Sequence, residues 1–219
     1  GWYGTSVNIH RTPFAGRNFE YYSEDAFLSG KLGYQAVNGA ATKGMYAFLK
    51  HFALNDQETH RDHLGIVTWA DEQTIREIYL KAFELVIVDN NVTINYNKGT
   101  QNEDGTTTYT FTTVEVPAAT AIMSSYNRIG PTWAGGNYDL ITEVLRGEWG
   151  FNGFVLTDYE VATYMFNDQC LAAGGDAKLK TVDLDGNFIQ GYNLADHPQD
   201  MYFSREAAHH ILYTVVHSN

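Results

Sequence analysis

The sequence predicts an α/β fold in which parallel strands alternate with helices, either a (β/α)8 barrel that lacks its first strands or an open α/β sheet. Strand-like and helix-like patterns alternate along most of the 219 residues, with about five strand candidates, whereas a closed barrel needs eight strands and typically ~250 residues. The apolar run 153–159, GFVLTDY, is typical of a strand buried on both faces, and it ends at Asp158. Barrels place catalytic groups at this end of their strands.

Apolar spacing predicts the individual elements. Strands are expected at 6–9, 45–52, 118–126, 153–159 and 169–176. Helices are expected at 26–41, 71–89, 137–149 and 204–217, with Asn137 and Ser204 as caps. In the first helix, the predicted core-facing side consists of Phe27, Leu28, Leu32, Ala36 and Val37.

Two segments interrupt this alternation. Residues 91–116 are rich in Thr and Asn, alternate like strands and contain Asp104-Gly105, a strong turn signal, so they are predicted to form a β-hairpin outside the main domain. Residues 178–199 are predicted to be irregular, with a turn at Asp185-Gly186.

Composition restricts the classes of function. A net charge of −12 disfavours nucleic acids and anionic membrane surfaces, which require basic patches. Cys170 is the single cysteine, so neither an internal disulfide nor a cysteine-rich metal site is expected. No apolar run approaches the ~20 residues of a membrane span, and the first residues lack the pattern of a signal peptide. These observations assign the chain to no cellular compartment.

Neither a cofactor nor a metal is predicted. The pairs Gly135-Gly136 and Gly174-Gly175 lack the strand–glycine–helix context of a nucleotide site. His60 and His63 are not joined by a cysteine or framed by a helix, so a solvated loop is favoured over a metal site.

Polar side chains follow the ends of successive predicted strands. Arg17 follows the first, Lys50 and His51 end the second, Tyr126 ends the third and Asp158 ends the fourth. Parallel strands bring these ends to one edge of a sheet, so the five side chains are expected to line one pocket. Cations, an imidazole, a phenol and a carboxylate suit a neutral ligand rich in hydroxyl groups.

Four segments carry a family resemblance: NIHRTPFAGRNFEYYSED, KHFALNDQETHR, MSSYNRIG and LRGEWGFNGFVLTDY. In this order they resemble the signatures of glycoside hydrolase family 3, which contains β-glucosidases and related exo-acting enzymes. The resemblance runs over residues 7–159, and the tail AAHHILYTVVHSN resembles the closing helix of the family's barrel domain. It implies that residues 1–219 are the C-terminal major part of a (β/α)8 TIM-barrel-like domain, incomplete because its first strands are missing, with a hairpin insertion at about 91–116.

The resemblance also implies roles for individual residues. Asp158 matches the catalytic nucleophile, followed by Tyr159 where Trp is more usual. Arg17, Lys50 and His51 match residues that bind sugar hydroxyls. The remaining matches are Tyr126 and Met123 near the nucleophile, and Asn55, Glu58 and Arg61, which are implied to hold the loop after Lys50-His51. Glu20 and Glu24 are interpreted as framework.

The implied reaction is retaining hydrolysis of β-linked oligosaccharides or of aryl and alkyl β-glycosides. Asp158 must then be ionised, and Arg17, Lys50 and a protonated or donor His51 are expected to favour its charge. The family's acid/base glutamate and an early-barrel aspartate have no match, so the remaining part of the parent enzyme, or another copy in an oligomer, is the expected partner. A non-catalytic carbohydrate-binding or structural barrel fragment and a metal-dependent α/β enzyme are the alternatives.

Overall fold

The computed structural model describes residues 1–61, 65–160, 164–180 and 193–218. The strands are β1 Phe48–Phe52, β2 Val67–Thr68, β3 Asn91–Gln101, β4 Thr107–Pro117, β5 Ala121–Ser124, β6 Arg128–Ile129, β7 Thr132–Trp133, β8 Phe154–Tyr159 and β9 Ala177–Leu179. The α-helices are α1 Ala26–Ala41, α2 Glu72–Thr74, α3 Lys81–Ile87, α4 Asn167–Ala172 and α5 Met201–Val216. Shorter or wider helices are the 3-10 helices Asn18–Glu20, Ala134–Gly136, Leu194–Asp196 and Pro198–Asp200 and the π-helices Ile75–Tyr79 and Asp139–Glu148.

The central sheet has four parallel strands in the order β1-β5-β8-β9, so the predicted α/β class is confirmed. Its register pairs Leu49 with Ile122 and Ile122 with Val155. The segment predicted as a strand at 6–9 forms only single parallel bridges, Ser6 with Lys50 and, before it, Trp2 with Ala47. The N-terminal segment therefore follows the edge of β1 that faces away from β5.

The two faces of the sheet carry different cores. Since strand side chains alternate, Leu49, Ile122 and Val155 point towards the helices and belong to the largest apolar cluster. Phe48, Ala121, Met123 and Leu156 form a second cluster on the opposite face. In a barrel-like sheet this second face is the interior, and Lys50 and Asp158 continue it towards the C-terminal strand ends.

Helix α1 has the predicted bounds, but its buried face differs in part from the predicted one. Its buried face consists of small residues, and added Cβ atoms at Gly30 and Gly33 would lie 2.8 Å from Leu85 and 2.6 Å from Val7. Phe27, Leu28 and Leu32 are exposed. Val37 is buried as predicted. The prediction was wrong for the three larger residues, because α1 approaches α3 more closely than large side chains allow.

The hairpin is confirmed as a structure. Strands β3 and β4 pair antiparallel from Asn91↔Pro117 to Gln101↔Thr107. The turn contains Gly105 at φ 82°, and the Asp104 carboxylate accepts from the Thr106 N–H at 2.9 Å. Whether this hairpin is an insertion relative to related proteins stays a prediction.

Two predictions near the C-terminus were wrong. Residues 169–176 contain the end of helix α4 and a loop rather than a strand, and the strand β9 follows them. A short apolar run does not distinguish helix from strand, and here Cys170 is buried beside Trp133 and Tyr164 while Gly174, at φ 93°, follows the helix.

Ser204 does not cap the closing helix, because α5 begins at Met201, directly after the 3-10 turn Pro198–Asp200. The predicted turn at Asp185-Gly186 and the residue His63 lie outside the described residues. Asn137 does cap its helix, since its side-chain oxygen accepts from the Leu140 N–H at 3.1 Å. None of the described helices is long and apolar enough to cross a membrane.

A buried carboxylate joins the sheet to the closing helix. One oxygen of Asp176 accepts from Arg146 Nη2 at 2.9 Å and from the Val155 N–H at 2.6 Å, and the other lies 2.8 Å from His210 Nδ1. Arg146 also donates to the carbonyl oxygens of Gly174 and Gly153. This cluster fixes β8 in relation to β9, α5 and the π-helix Asp139–Glu148.

Replacing Arg146 with Met is expected to lower the free energy of unfolding by about 3 kcal/mol, because the buried Asp176 carboxylate loses its cationic partner. The matched control is Arg76→Met, which removes an ion pair with Glu148 whose side chains are 39% and 47% exposed. That change should cost at most about 1 kcal/mol. Urea unfolding followed by circular dichroism measures both, and equal losses would contradict the role given to Arg146.

Candidate active site

The C-terminal ends of β1, β5 and β8 meet at one edge of the sheet. The register pairs Phe52 with Ser124 and Met123 with Leu156, so the residues that follow each pair lie side by side. Lys50 and His51 end β1, Tyr126 follows β5 and Asp158 ends β8. The predicted convergence of strand ends is present in the structure.

Asp158 occupies the centre of this edge, with its side chain 14% exposed. Its Oδ1 accepts a hydrogen bond from the Tyr159 N–H at 2.7 Å. Its Oδ2 is buried, has no hydrogen-bond partner among the described residues, and lies 3.7 Å from His51 Nε2, too far for a hydrogen bond. The backbone thus orients Oδ1, while the lone pairs of Oδ2 accept no hydrogen bond from the described residues.

His51 is neutral and accepts a hydrogen bond. Its Nε2 lies 3.0 Å from Arg17 Nη2, and because a guanidinium can only donate, the proton of the imidazole must be on Nδ1. Burial first, and then the charges of Arg17, Lys50 and Arg61, hold the pKa of His51 well below its usual value. The lowered pKa contradicts the protonated form of His51 that was expected next to Asp158. The Nδ1–H donor is buried and has no hydrogen-bond partner among the described residues, so a donor role of His51 stays a prediction.

The backbone of His51 is held from the neighbouring N-terminal segment. The Asn8 side chain accepts from the His51 N–H at 2.7 Å and donates to the His51 carbonyl oxygen at 2.9 Å. Both residues are buried. This two-way contact fixes the end of β1 and hence the imidazole beside Asp158.

Burial has the larger effect on the charge of Asp158. It raises the pKa of the Asp158 carboxyl, although the Tyr159 N–H and the charges of Arg17, Arg61 and Lys50 act in the opposite direction. The cations lie close enough to stabilise the carboxylate, as predicted. Their attraction does not exceed the cost of removing the carboxylate from water.

Glu20 joins the two predicted sugar-binding cations. Its carboxylate accepts from Arg17 Nε, lies 3.3 Å from Lys50 Nζ and accepts from the Ser6 hydroxyl at 3.1 Å. Burial opposes its ionisation, but the hydrogen bond and charge of Arg17 together with the charge of Lys50 lower its pKa. Glu20 therefore belongs to the site and orients both cations, whereas Glu24 is exposed.

The loop after β1 supplies a second ion pair. Glu58 accepts from Arg61 Nε at 2.7 Å and from Asn55 Nδ2 at 3.2 Å. The Arg61 guanidinium lies 4.5 Å from the centre of the Tyr126 ring. The predicted holding residues thus contact one another, and Arg61 also reaches the pocket itself through Tyr126.

The remaining predicted residues lie at different depths. The Tyr126 hydroxyl lies near the Asp158 side chain, but the hydrogen bond that it donates goes to the Tyr159 carbonyl oxygen. Burial, followed by the charge and the acceptor oxygens of Asp158, raises the pKa of Tyr126. The Tyr159 ring is exposed, as a pocket wall requires. Met123 is buried with Phe48 and Leu156 beneath the polar groups. The substrate-binding roles of these residues stay predictions.

The described part of the chain resembles known proteins in sequence and in structure. Residues 4–94 match the family described as Glycosyl hydrolase family 3 N terminal domain. A beta-glucosidase from Ruminococcus albus is 36% identical over 156 residues, which are 71% of this chain and 13% of that protein. The chain belongs to glycosyl hydrolase family 3.

Other family 3 proteins extend the comparison. An exo-alpha-(1->6)-L-arabinopyranosidase from Bifidobacterium longum is 38% identical over 156 residues, 71% of this chain and 17% of that protein. The structure of beta-glucosidase 3B from Thermotoga neapolitana in complex with glucose matches with a TM-score of 0.76 and 30% identity, over 99% of this chain and 27% of that one. The chain thus spans only a small part of these family members, and its fold is that of their TIM-barrel-like domain.

Family 3 membership confirms the resemblance of the four sequence segments. The family match over 4–94 includes Arg17, Lys50 and His51, while Tyr126 and Asp158 follow it. Sequence reasoning missed Asn8 as a site residue and treated Glu20 as framework. The signal for Glu20 was its position three residues after Arg17, a spacing that allows an ion pair within one helical turn.

Replacing Glu20 with Gln should lower the free energy of unfolding at pH 7 by about 1–2 kcal/mol, because Arg17 and Lys50 lose their shared carboxylate. Since the pKa of Glu20 is lowered in the folded state, its contribution is present above the pKa of the unfolded chain and is lost as the pH falls through the folded value. The difference from wild type should shrink in acid. Glu24→Gln is the matched control, and an equal effect of both changes in urea unfolding would contradict the assignment.

Proposed function

We propose that this chain is the nucleophile-bearing part of a retaining exo-acting β-glycosidase that removes terminal non-reducing β-D-glycosyl residues. The observation that carries the proposal is the Asp158 carboxylate, whose Oδ2 has no hydrogen-bond partner among the described residues at an edge otherwise rich in donors. Family 3 membership supports glycoside hydrolysis as the reaction class.

The proposed reaction has two steps. Asp158 Oδ2 attacks the anomeric carbon and forms a C–O bond, while the bond to the leaving oxygen breaks and that oxygen takes the electron pair together with a proton from a general acid. Water then attacks the same carbon, gives its proton to the conjugate base and releases the Asp158 carboxylate. Because burial raises the pKa of Asp158, the attacking carboxylate is more basic than one in water.

The neighbouring side chains suit a sugar rich in hydroxyl groups. Arg17 and Lys50 can donate hydrogen bonds to hydroxyl oxygens of the sugar. The Glu20 carboxylate pairs with both cations and so holds them close together. His51, as a neutral acceptor at Nε2, receives a hydrogen bond instead of donating one. Tyr126, Tyr159 and Met123 are proposed to shape the sugar site around the nucleophile.

The general acid is proposed to come from outside this chain. Glu20 is bound to two cations and has a lowered pKa, which is unsuitable for an acid. Burial raises the pKa of Glu58, but both of its carboxylate oxygens are already bound, one by Asn55 and the other by Arg61. We assign residues 1–219 to the C-terminal major part of the barrel domain and the acid/base glutamate to a sandwich domain elsewhere in the parent enzyme. That remaining part is the partner that completes the site.

The comparisons support a proposal for the class of substrate and not for one individual sugar. A β-glucosidase and an exo-α-(1→6)-L-arabinopyranosidase match this chain at similar identity, 36% and 38%. We propose β-linked oligosaccharides and aryl or alkyl β-glycosides as substrates, with a glucosyl residue at the cleaved bond. No cofactor is required, because two carboxyl groups are sufficient for this reaction.

In the parent enzyme, Asp158→Ala should reduce hydrolysis of an aryl β-glucoside by at least about 10⁴-fold, as loss of a nucleophile typically does. Added azide should restore turnover and yield the α-glucosyl azide, because a small anion replaces the missing carboxylate on the face opposite the leaving group. The control Asp139→Ala removes an exposed carboxylate and should leave turnover unchanged.

Undiminished turnover in Asp158→Ala would overturn the assignment. A β-glucosyl azide product would show that the substitution did not remove the nucleophile of a retaining enzyme. Sugar binding without any turnover in the wild-type parent enzyme would favour the non-catalytic alternative.

A further inference from the structure

A cavity beside the loop that follows β1 shares none of its lining residues with the group around Asp158. Its volume is about 360 Å³, within the usual range for small-molecule sites. It is lined by the segment 11–12, the loop 54–57, strand β2 with its neighbours and the residue after Tyr126. The residues that matter for its chemistry are Arg11, Leu54, Asp56, Ile66, Trp69 and Asn127.

Two residues that line this cavity carry a buried oxygen atom without a donor. Asn127 is 2% exposed, and its amide nitrogen donates to the Ala53 carbonyl oxygen at 3.0 Å, while its Oδ1 has no partner among the described residues. Asp56 Oδ1 is likewise buried and without a partner in the described part of the chain. A buried acceptor without a donor costs roughly 1–3 kcal/mol, which a ligand hydroxyl would offset.

The pKa of Asp56 depends on burial and on groups at or near this cavity. Burial raises the pKa of Asp56 to about 7, and Arg11 and a hydrogen bond from the Ile9 backbone act in the opposite direction. The charges that act on Asp158 come instead from Arg17, Arg61 and Lys50, none of which lines the cavity. The two sites are therefore electrostatically distinct.

An aromatic ring stands beside the two acceptors. Trp69 is 76% exposed, and an added Cβ at Gly130 would lie 3.5 Å from its indole. Leu54 and Ile66 supply apolar walls. An exposed indole face next to hydroxyl acceptors suits a pyranose, whose C–H face packs on a ring while its hydroxyls donate.

Different residues of the loop 54–61 face the cavity and the candidate active site around Asp158. Leu54, Asp56 and Gln57 line the cavity, whereas Asn55, Glu58 and Arg61 are joined on the side of Asp158 and Tyr126. An occupant of the cavity would therefore contact the loop that also holds the candidate active site.

We propose that this cavity is a second saccharide-binding site, which holds a neutral pyranose unit against Trp69 and satisfies the side-chain oxygens of Asn127 and Asp56. The site does not depend on the function proposed for Asp158. Its ligand class is a neutral sugar, because the cavity offers acceptors and an aromatic face in place of the cation cluster that an anion requires.

Isothermal titration calorimetry of this chain with cellobiose tests the proposal. Saturable binding is expected for wild type, for Asp158→Asn and for Trp2→Ala, which removes a partly exposed indole away from the cavity. Trp69→Ala and Asn127→Leu should each bind at least tenfold more weakly. Because the Trp69 side chain is largely exposed, its removal should leave the fold intact, which circular dichroism checks.

Three results would overturn the proposal. The first is the absence of saturable binding, and the second is equal affinity of Trp69→Ala and Trp2→Ala. The third is loss of binding in Asp158→Asn while Trp69→Ala still binds. The last would place cellobiose in the nucleophile pocket alone. Should Asn127→Leu fail to fold, the comparison of the two Trp variants decides.

Discussion

The position of strand β8 depends on one buried carboxylate, and the candidate active site depends on that strand. Asp176 accepts from the Val155 N–H, from Arg146 and from His210, so a single side chain binds β8, the π-helix after β5 and the closing helix α5. Thr214 adds a second connection, because its hydroxyl accepts from the Phe154 N–H and donates to a carbonyl oxygen beside β5. Asp158 lies three residues beyond Val155 on the same strand. Anchoring the buried start of the strand therefore determines the position of the Asp158 carboxylate near its end.

Two opposing effects act on the charge of Asp158 at this edge of the sheet, namely burial and the attraction of nearby cations. Removing Asp158 from water raises its pKa, while three nearby cations favour its charge without reversing that shift. Those cations are in turn bound by Glu20 and Glu58, so most charges at this edge are paired and held in place. Of the three carboxylates described at this edge, Asp158 retains an oxygen without a hydrogen-bond partner among the described residues. A carboxylate that is basic, oriented and incompletely hydrogen-bonded has the properties that a nucleophile needs.

Much of the fold followed from local patterns, and the failures have physical reasons. The bounds of α1, the hairpin and the strand before Asp158 were predictable, because spacing and turn residues agree there. The buried side of α1 was predictable only at Val37, since close packing on Gly30 and Gly33 leaves the larger residues Phe27, Leu28 and Leu32 exposed. The strand ends and the family signatures predicted which side chains meet. They did not predict that His51 accepts from Arg17 or that burial exceeds attraction at Asp158, because both depend on distances in three dimensions.

The most direct test of the central claim is to trap the covalent intermediate and locate it. The parent enzyme would be incubated with an activated 2-deoxy-2-fluoro-β-glucoside, which slows release of the glycosyl-enzyme, and the modified peptide would be sequenced by mass spectrometry. The account predicts the fluoroglucosyl group on Asp158. A fluoroglucosyl group on Glu20 or Glu58, the other carboxylates described at this edge, would contradict it.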